Sequence, residues 1–127
     1  MYHLWYTAVV DKEQRQPILN VFFYRTDAGN EPVREWLKSL NRDEKRVIGE
    51  DIKTAQFGWP LGMPLIRKLE RGLWEVRSNT RHGIARVIFT VSGNTMILLH
   101  GFVKKSQKTP LDDLNTARRR LADIEKE

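Results

Sequence analysis

The fold is decided by the stretch from residue 73 to residue 103, which reads LWEVRSNTRHGIARVIFTVSGNTMILLHGFV. Its residues are mainly β-branched, aliphatic and aromatic, and turn-forming residues at Ser92-Gly93-Asn94 interrupt them. The last part, residues 95–103, is nearly continuous in apolar residues. Because such a run is typical of a strand buried on both faces, we expect residues 95–103 to form a central strand of a sheet.

The segments around this stretch predict the other elements. Extended pieces at residues 65–69 and 73–77 flank Gly72, and residues 84–91 form a further apolar piece. After Thr109-Pro110, a third helix is expected, with Asp112 in its first turn. The predicted order is strand, two helices, three strands in meander order and a helix. That order predicts an α+β domain with a largely antiparallel sheet.

The first third of the chain predicts a strand followed by a helical hairpin. Residues 21–24 are aromatic and β-branched, and Pro32 suits the first turn of a helix with apolar residues at i, i+3, i+4 and i+7. Asn41 and Glu44 have the spacing of a capping box for the second helix, which should stop at Gly58-Trp59-Pro60. We therefore place the domain at residues 20–127, with residues 1–19 as an N-terminal extension of unknown role.

Composition excludes several classes of function. The chain has 127 residues, the size of one domain, and no cysteine, which excludes disulfides, a thiolate nucleophile and cysteine metal sites. No apolar run reaches the roughly 20 residues that a membrane-spanning helix needs. The first residues have no basic segment followed by a long apolar one, unlike a signal peptide. We therefore expect a cytoplasmic protein without a membrane partner.

Positive charge is concentrated in one segment. The formal net charge is +6, and residues 67–108 contain nine basic residues against two acidic ones, whereas the rest of the chain is nearly balanced. The basic residues are Arg67, Lys68, Arg71, Arg77, Arg81, Arg86, Lys104, Lys105 and Lys108. This distribution indicates a surface that binds phosphate groups, and the alternative is an ordinary solvated face.

Strand alternation assigns some of these residues to faces. Trp74 and Val76 share one face of their strand, which we take as the core face, and Glu75 and Arg77 share the other. The face of Arg86 is left open by its neighbours. We expect helices on one side of the sheet and a flat or concave cationic platform on the other.

Three spaced blocks of sequence resemble the RelE/ParE toxin superfamily. The blocks are Leu73-Trp74-Glu75-Val76-Arg77, then Ala85-Arg86-Val87-Ile88-Phe89, then the run from Leu98 through Gly101-Phe102-Val103-Lys104-Lys105-Ser106-Gln107-Lys108-Thr109-Pro110, with Ala117 and Arg118 after it. The chain is most similar to the HigB-like branch, which includes phage-derived relatives, and the resemblance covers roughly residues 20–124. It implies a RelE-like fold with an N-terminal helical hairpin and a C-terminal helix.

The resemblance also implies a function. Members of this kind are toxins of type II toxin–antitoxin systems, partnered by a small antitoxin that is often a helix-turn-helix, HigA-like protein. RelE and HigB relatives enter the ribosomal A site and cleave messenger RNA there. The chain is therefore expected to be a metal-independent endoribonuclease, an mRNA interferase that inhibits translation, with no metal and no organic cofactor.

Metal-free RNA cleavage indicates which residue types to look for. It needs a base near the ribose 2′-hydroxyl, positive charge on the phosphorane and an acid at the 5′-oxygen. Arginine suits the second task because its planar fork pairs with phosphate oxygens. A lysine surrounded by other cations can exchange protons near neutral pH. The predicted catalytic residues are Arg77, Arg86, Lys104, Lys105 and Lys108, the predicted RNA-binding residues are Lys68, Arg71 and Arg81, and the additional candidates are Glu75 and His100.

Each candidate also has a structural interpretation. Arg77 could simply pair with Glu75 or Glu70, and the three lysines could bind phosphate without transferring a proton. His100 lies in an apolar strand, where a core histidine is the more common case. The superfamily's best-known members carry a tyrosine or histidine near the end of the sheet, but no histidine follows His100 here and every tyrosine is N-terminal. The acid is therefore unassigned.

Two other functions are compatible with the same sequence. ParE-like members share the fold but inhibit DNA gyrase without cutting RNA, because a fold does not fix a function. A non-catalytic RNA-binding module would bind RNA with a steep salt dependence and cleave nothing.

Overall fold

The nearly continuous apolar run lies in the interior of a mixed sheet. The structure, a computed structural model, describes residues 3–4 and 16–126. Within them, six strands form one sheet in the order β1-β2-β6-β5-β4-β3. The elements are β1 (His3–Leu4), β2 (Asn20–Phe23), α1 (Pro32–Ser39), α2 (Arg42–Gly58), β3 (Ile66–Glu70), β4 (Leu73–Thr80), β5 (Gly83–Ser92), β6 (Thr95–Lys104) and α3 (Leu111–Glu125).

The α+β class and the largely antiparallel sheet are confirmed. Strands β3 to β6 form an antiparallel meander, and only β2, beside β6, runs parallel to its neighbour among the pairs in the described residues. The sequence predicted three strands in this stretch, but the structure has four. The extended piece near residues 65–69 is a strand in its own right, paired with β4 across a turn in which Gly72 adopts a φ of 81°.

The helical hairpin forms as its sequence signals predict. Pro32 is the first residue of α1, where its missing N–H is not needed. The Asn41 side chain accepts from the Glu44 backbone N–H at 2.9 Å, and the Glu44 carboxylate accepts from the Asn41 N–H at 3.3 Å. This capping box satisfies donors at the start of α2, which ends at Gly58 as predicted.

Helices α1 and α2 cover one face of the sheet. Ile48 and Ile52 of α2 are fully buried in one cluster with Val76, Val87 and other strand residues. The predicted core face of β4 is thereby confirmed. Helix α1 lies close to β6 because residue 101 is glycine. A Cβ at Gly101 would lie 2.3 Å from an atom of the Trp36 ring.

Helix α3 packs on the opposite face, which is the face that carries the arginines. Ala117 of α3 is buried with Leu73, Ile88 and Leu99 in a second apolar cluster. The expectation that helices cover one side and leave an open cationic platform on the other is therefore wrong. The apolar stripe of α3 must be buried against another apolar surface, and Leu73, Ile88 and Leu99 on the arginine face supply that surface.

The predicted N-terminal extension, residues 1–19, lies mainly outside the described residues. His3–Leu4 pair with Phe22 and Phe23 of β2, so this short strand adds to the edge of the sheet. In the part of the chain that the structure describes, no helix is both long and apolar enough to cross a membrane.

Candidate phosphate-binding site

Three arginines from neighbouring strands meet on the α3 face of the sheet. Arg77 of β4 and Arg86 of β5 are directly paired in the antiparallel register, and Arg67 of β3 is paired with Glu75 of β4. Residues opposite each other in antiparallel strands point to the same face, and Glu75 and Arg77 share theirs by alternation. The four side chains, Arg67, Glu75, Arg77 and Arg86, form what we call the arginine cluster.

The segment between β6 and α3, residues 105–109, lies over this cluster, and we call it the strap. Arg77 Nη2 donates to the Gln107 side-chain oxygen at 3.0 Å and to the Gln107 carbonyl at 3.3 Å. Arg67 Nη1 donates to the same carbonyl at 3.4 Å, and Arg86 Nη2 donates to the carbonyl of Ser106. Uncharged oxygens of the strap therefore bind all three guanidinium groups.

Glu75 anchors the C-terminal end of the strap. Its side chain is fully buried, and its Oε2 accepts a hydrogen bond from the Thr109 hydroxyl at 2.8 Å. Its Oε1 lies 3.7 Å from Arg77 Nε, which makes an ion pair of longer range. The structural interpretation in which Arg77 pairs with Glu75 is thus present in the structure, but the same guanidinium also binds Gln107. Glu75 holds both the strap and Arg77.

Arg86 is the most deeply buried arginine of the cluster. It is 0% exposed, and its Cζ lies 5.7 Å from the centre of the Phe102 ring. Its Nε and Nη1 atoms have no hydrogen-bond partner among the described residues. Burial lowers the pKa of Arg86, which the charge of Glu75 partly offsets and the charges of Arg77 and Arg67 reinforce. Arginine nevertheless stays protonated in proteins, so this is a buried positive charge.

The charges of the cluster are not balanced. Three guanidinium groups surround one carboxylate, and two buried nitrogens of Arg86 make no hydrogen bond within the described part of the chain. A buried charge that lacks full compensation is costly, and an anion at this place would supply both the charge and the acceptors. The cluster is therefore suited to bind a phosphate group.

The predicted lysines surround the strap. Lys104 ends β6, Lys105 and Lys108 belong to the strap, and all three are exposed. Their side chains are free to reach the phosphates of an extended nucleic acid.

The other predicted RNA-binding residues are dispersed. Arg71 and Arg81 are exposed in the turns at opposite ends of β4. The Lys68 Nζ lies 5.7 Å from the centre of the Trp74 ring, on the face of the sheet opposite the arginine cluster. The structure thus brings Arg81 to the end of β4 nearer the Arg77–Arg86 pair, and it separates Lys68 from that pair.

His100 belongs to a separate group beneath α3. Its Nε2 lies 2.7 Å from Asp113 Oδ1, and its Nδ1 lies 3.5 Å from Arg120 Nη1. Burial lowers the pKa of His100, although the hydrogen bond to Asp113 acts in the opposite direction. Its ring stacks on Phe102, with 5.7 Å between the centroids. Phe102 therefore separates His100 from Arg86.

Sequence reasoning did not single out Arg67, Gln107 or Thr109. Arg67 was counted among the basic residues, but its pairing with Glu75 follows from the register of β3, which a short strand does not reveal. The contacts of Gln107 span 30 and 40 residues of chain and depend on the path of the strap. The described residues contain no group of three or more histidine, cysteine, aspartate or glutamate residues arranged to hold a metal ion.

The fold and this site define a small α+β protein with a buried cationic cluster. The family model described as phage-derived protein Gp49-like (DUF891) matches residues 35–122, which include the whole arginine cluster and the strap. The chain belongs to this family, which is associated with toxins of toxin–antitoxin systems. The family implies an antitoxin as partner. No curated protein matches the chain.

Proposed function

We propose that the chain is the toxin of a type II toxin–antitoxin system and acts as a ribosome-dependent mRNA interferase. The observation that carries this proposal is the arginine cluster, in which three guanidinium groups accompany one carboxylate and Arg86 keeps two buried nitrogens without a hydrogen-bond partner among the described residues. Membership of a toxin-associated family supports the same conclusion. The resemblance to RelE and HigB toxins supplies the substrate, messenger RNA in the ribosomal A site.

The chemistry follows from the needs of metal-free RNA cleavage. The ribose 2′-oxygen attacks the adjacent phosphorus and loses its proton, the bond from phosphorus to the 5′-oxygen breaks, and that oxygen takes up a proton. The products carry a 2′,3′-cyclic phosphate and a 5′-hydroxyl group. Negative charge grows on the phosphorane oxygens, where Arg77 and Arg86 would stabilise it more strongly than in the ground state.

The remaining residues have supporting roles in this proposal. Glu75 is a positioning residue, because its buried carboxylate holds Arg77 and the Thr109 end of the strap. Lys104, Lys105 and Lys108 bind phosphates on either side of the cut, since all three are exposed near the cluster. Holding the 2′-oxygen in line with the leaving oxygen is assigned largely to the ribosome.

The proposal extends to partners and organisation. The antitoxin is expected to be a helix-turn-helix, HigA-like protein, and the toxin is expected to act in the cytoplasm. Residues 20–127 would form the toxin domain, and residues 1–19 would be an extension that adds β1 to the edge of the sheet.

The test is cleavage of a messenger RNA programmed into ribosomes, beside the same RNA free in solution. EDTA is added only to the free-RNA arm, because ribosomes need magnesium. We expect the wild-type protein to cut on the ribosome, and Arg86→Lys to cut at least about 100-fold more slowly, because lysine keeps the charge but loses the planar fork.

Arg118→Lys is the matched control. Arg118 pairs with Glu70 at 2.6 Å, outside the arginine cluster, so its replacement should leave cleavage unchanged. No cutting by a folded wild-type protein would contradict the interferase proposal, and a gyrase supercoiling assay would then test the ParE-like alternative. Equal rates for wild type and Arg86→Lys would remove Arg86 from the mechanism.

A further inference from the structure

The strap occupies a donor on each of the three guanidinium groups of the cluster, and it leaves Arg86 Nε and Nη1 without a partner among the described residues. The Ser106 carbonyl, the Gln107 carbonyl and the Gln107 side-chain oxygen together accept from all three arginines of the cluster. These three oxygens take acceptor positions on guanidinium groups that the oxygens of a bound phosphate could also take. A phosphate offers acceptors that also carry negative charge, so each hydrogen bond would join two ionised groups instead of one.

The strap is fixed at its ends by the sheet and by Glu75, and between them by hydrogen bonds to the arginines. At one end, Lys104 pairs with Ile84 in the sheet; at the other, Thr109 is buried and donates to Glu75. Residues 105–108 between these points are exposed, and their contacts with the cluster are the hydrogen bonds to the arginines. The middle of the strap can therefore move without disturbing either end.

We propose that the strap closes the phosphate site in the free protein, with Gln107 as its latch, and that the RNA phosphate displaces it. The inference rests on the proposed function, because it concerns access to the same arginine cluster. Lys105 and Lys108 lie on either side of Ser106 and Gln107 in the moving segment itself. RNA that binds these two lysines therefore contacts the same segment that must move away from the arginines.

If Gln107 is the latch, a stronger interaction of residue 107 with Arg77 should weaken the binding of phosphate. Gln107→Leu removes the side-chain acceptor that lies 3.0 Å from Arg77 and leaves both backbone carbonyls in place. Gln107→Glu puts a carboxylate at the same position, where it would pair with Arg77. We expect phosphate to bind about 3-fold more tightly to the first variant and about 10-fold more weakly to the second.

The measurement follows the Nε–H signals of the arginines by ¹⁵N NMR during a titration with inorganic phosphate. The Arg86 Nε–H has no acceptor within the described residues, so a phosphate bound there should shift its signal strongly downfield. The backbone signals of Ser106 and Gln107 should shift at the same phosphate concentration, because those residues leave the cluster as the anion enters. The control is Gln16→Glu, which makes the same change in charge at an exposed position.

Different results separate the two proposals. The strap proposal is contradicted if Gln107→Glu and Gln16→Glu bind phosphate equally well, or if Arg86 responds while the strap signals stay fixed. It is also contradicted if Arg86 responds in none of the proteins, Gln107→Leu included. In each of these cases the cleavage assay on programmed ribosomes still decides the proposed function independently.

Discussion

Two polar groups of residues lie on the same face of the sheet, one beneath α3 and one beneath the strap. Beneath α3, the Tyr24 hydroxyl donates to Asp123 at 2.9 Å, His100 lies 2.7 Å from Asp113, and Arg120 donates to the Leu99 carbonyl at 2.7 Å. Each of these side chains has a hydrogen-bond partner within the folded chain. The group fastens α3 to the sheet.

The arginine cluster beneath the strap is built differently. Its positive charges outnumber its carboxylate, and its acceptors are largely neutral oxygens of a loop. Two nitrogens of Arg86 have no hydrogen-bond partner in the described residues. A polar group whose pairing is complete stabilises a fold, whereas one whose pairing is incomplete has binding capacity left for a ligand. Substitutions in the two groups should therefore differ in their effects on stability and on phosphate binding.

The largest effect is expected from removing the carboxylate of the arginine cluster. Glu75→Gln keeps the shape of the side chain and an acceptor for Thr109, but it removes the one carboxylate within the arginine cluster. We expect the free energy of unfolding, measured by urea denaturation, to fall by about 3 kcal/mol, because one partner of a buried charge group is lost. Inorganic phosphate should restore part of this loss.

Glu70→Gln is the comparison for that result. Glu70 also pairs with an arginine, Arg118, which lowers the pKa of its carboxyl, but both groups are partly exposed. Its loss should cost less than about 1 kcal/mol, and phosphate should restore none of it. Equal losses in the free energy of unfolding would mean that the carboxylate of the arginine cluster stabilises the fold no more than that of an ordinary surface ion pair.

The sequence predicted the fold better than the site, for physical reasons. Caps, alternation and apolar periodicity are local, and they placed α1, α2 and the opposed faces of Trp74 and Glu75 correctly. The side of the sheet that α3 covers depends on long-range packing. The apolar stripe of α3 predicts that the helix is buried, but it does not indicate which surface the helix packs against. The strap has no periodicity, so the contacts of Gln107 and Thr109 could not be read from the chain.

Acidification should act on the group beneath α3. The pKa of His100 is lowered from its ordinary value of 6.5, chiefly by burial and also by Arg120 and Arg119, against the effect of Asp113. A histidine whose pKa is lower in the folded state contributes stability that is present above the unfolded pKa and is lost as pH falls through the folded pKa. We expect the Tm of the wild type to fall more between about pH 8 and about pH 5 than that of His100→Gln.

A second histidine serves as the reference for effects of pH that do not arise from His100. His82 is exposed in the turn between β4 and β5, and His82→Gln should show the pH dependence of the wild type. If His100→Gln and His82→Gln give the same curve, burial of His100 has no consequence for stability. Because the His100 side chain keeps some exposure, its effect should be smaller than that of Glu75→Gln.

The smallest effect is expected from Tyr24→Phe. The substitution removes the hydroxyl that donates to Asp123 but keeps the ring, whose centre lies 5.6 Å from the Arg120 Cζ. The loss of one partly buried hydrogen bond should lower the free energy of unfolding by about 1 kcal/mol. Cleavage on programmed ribosomes should not change, because Tyr24 has no contact with the strap or with the arginine cluster among its hydrogen bonds and ring contacts. Slower cleavage by a stably folded Tyr24→Phe protein would show that the packing of α3 against the sheet affects the strap, which precedes α3 in the chain. The two polar groups would then form one site.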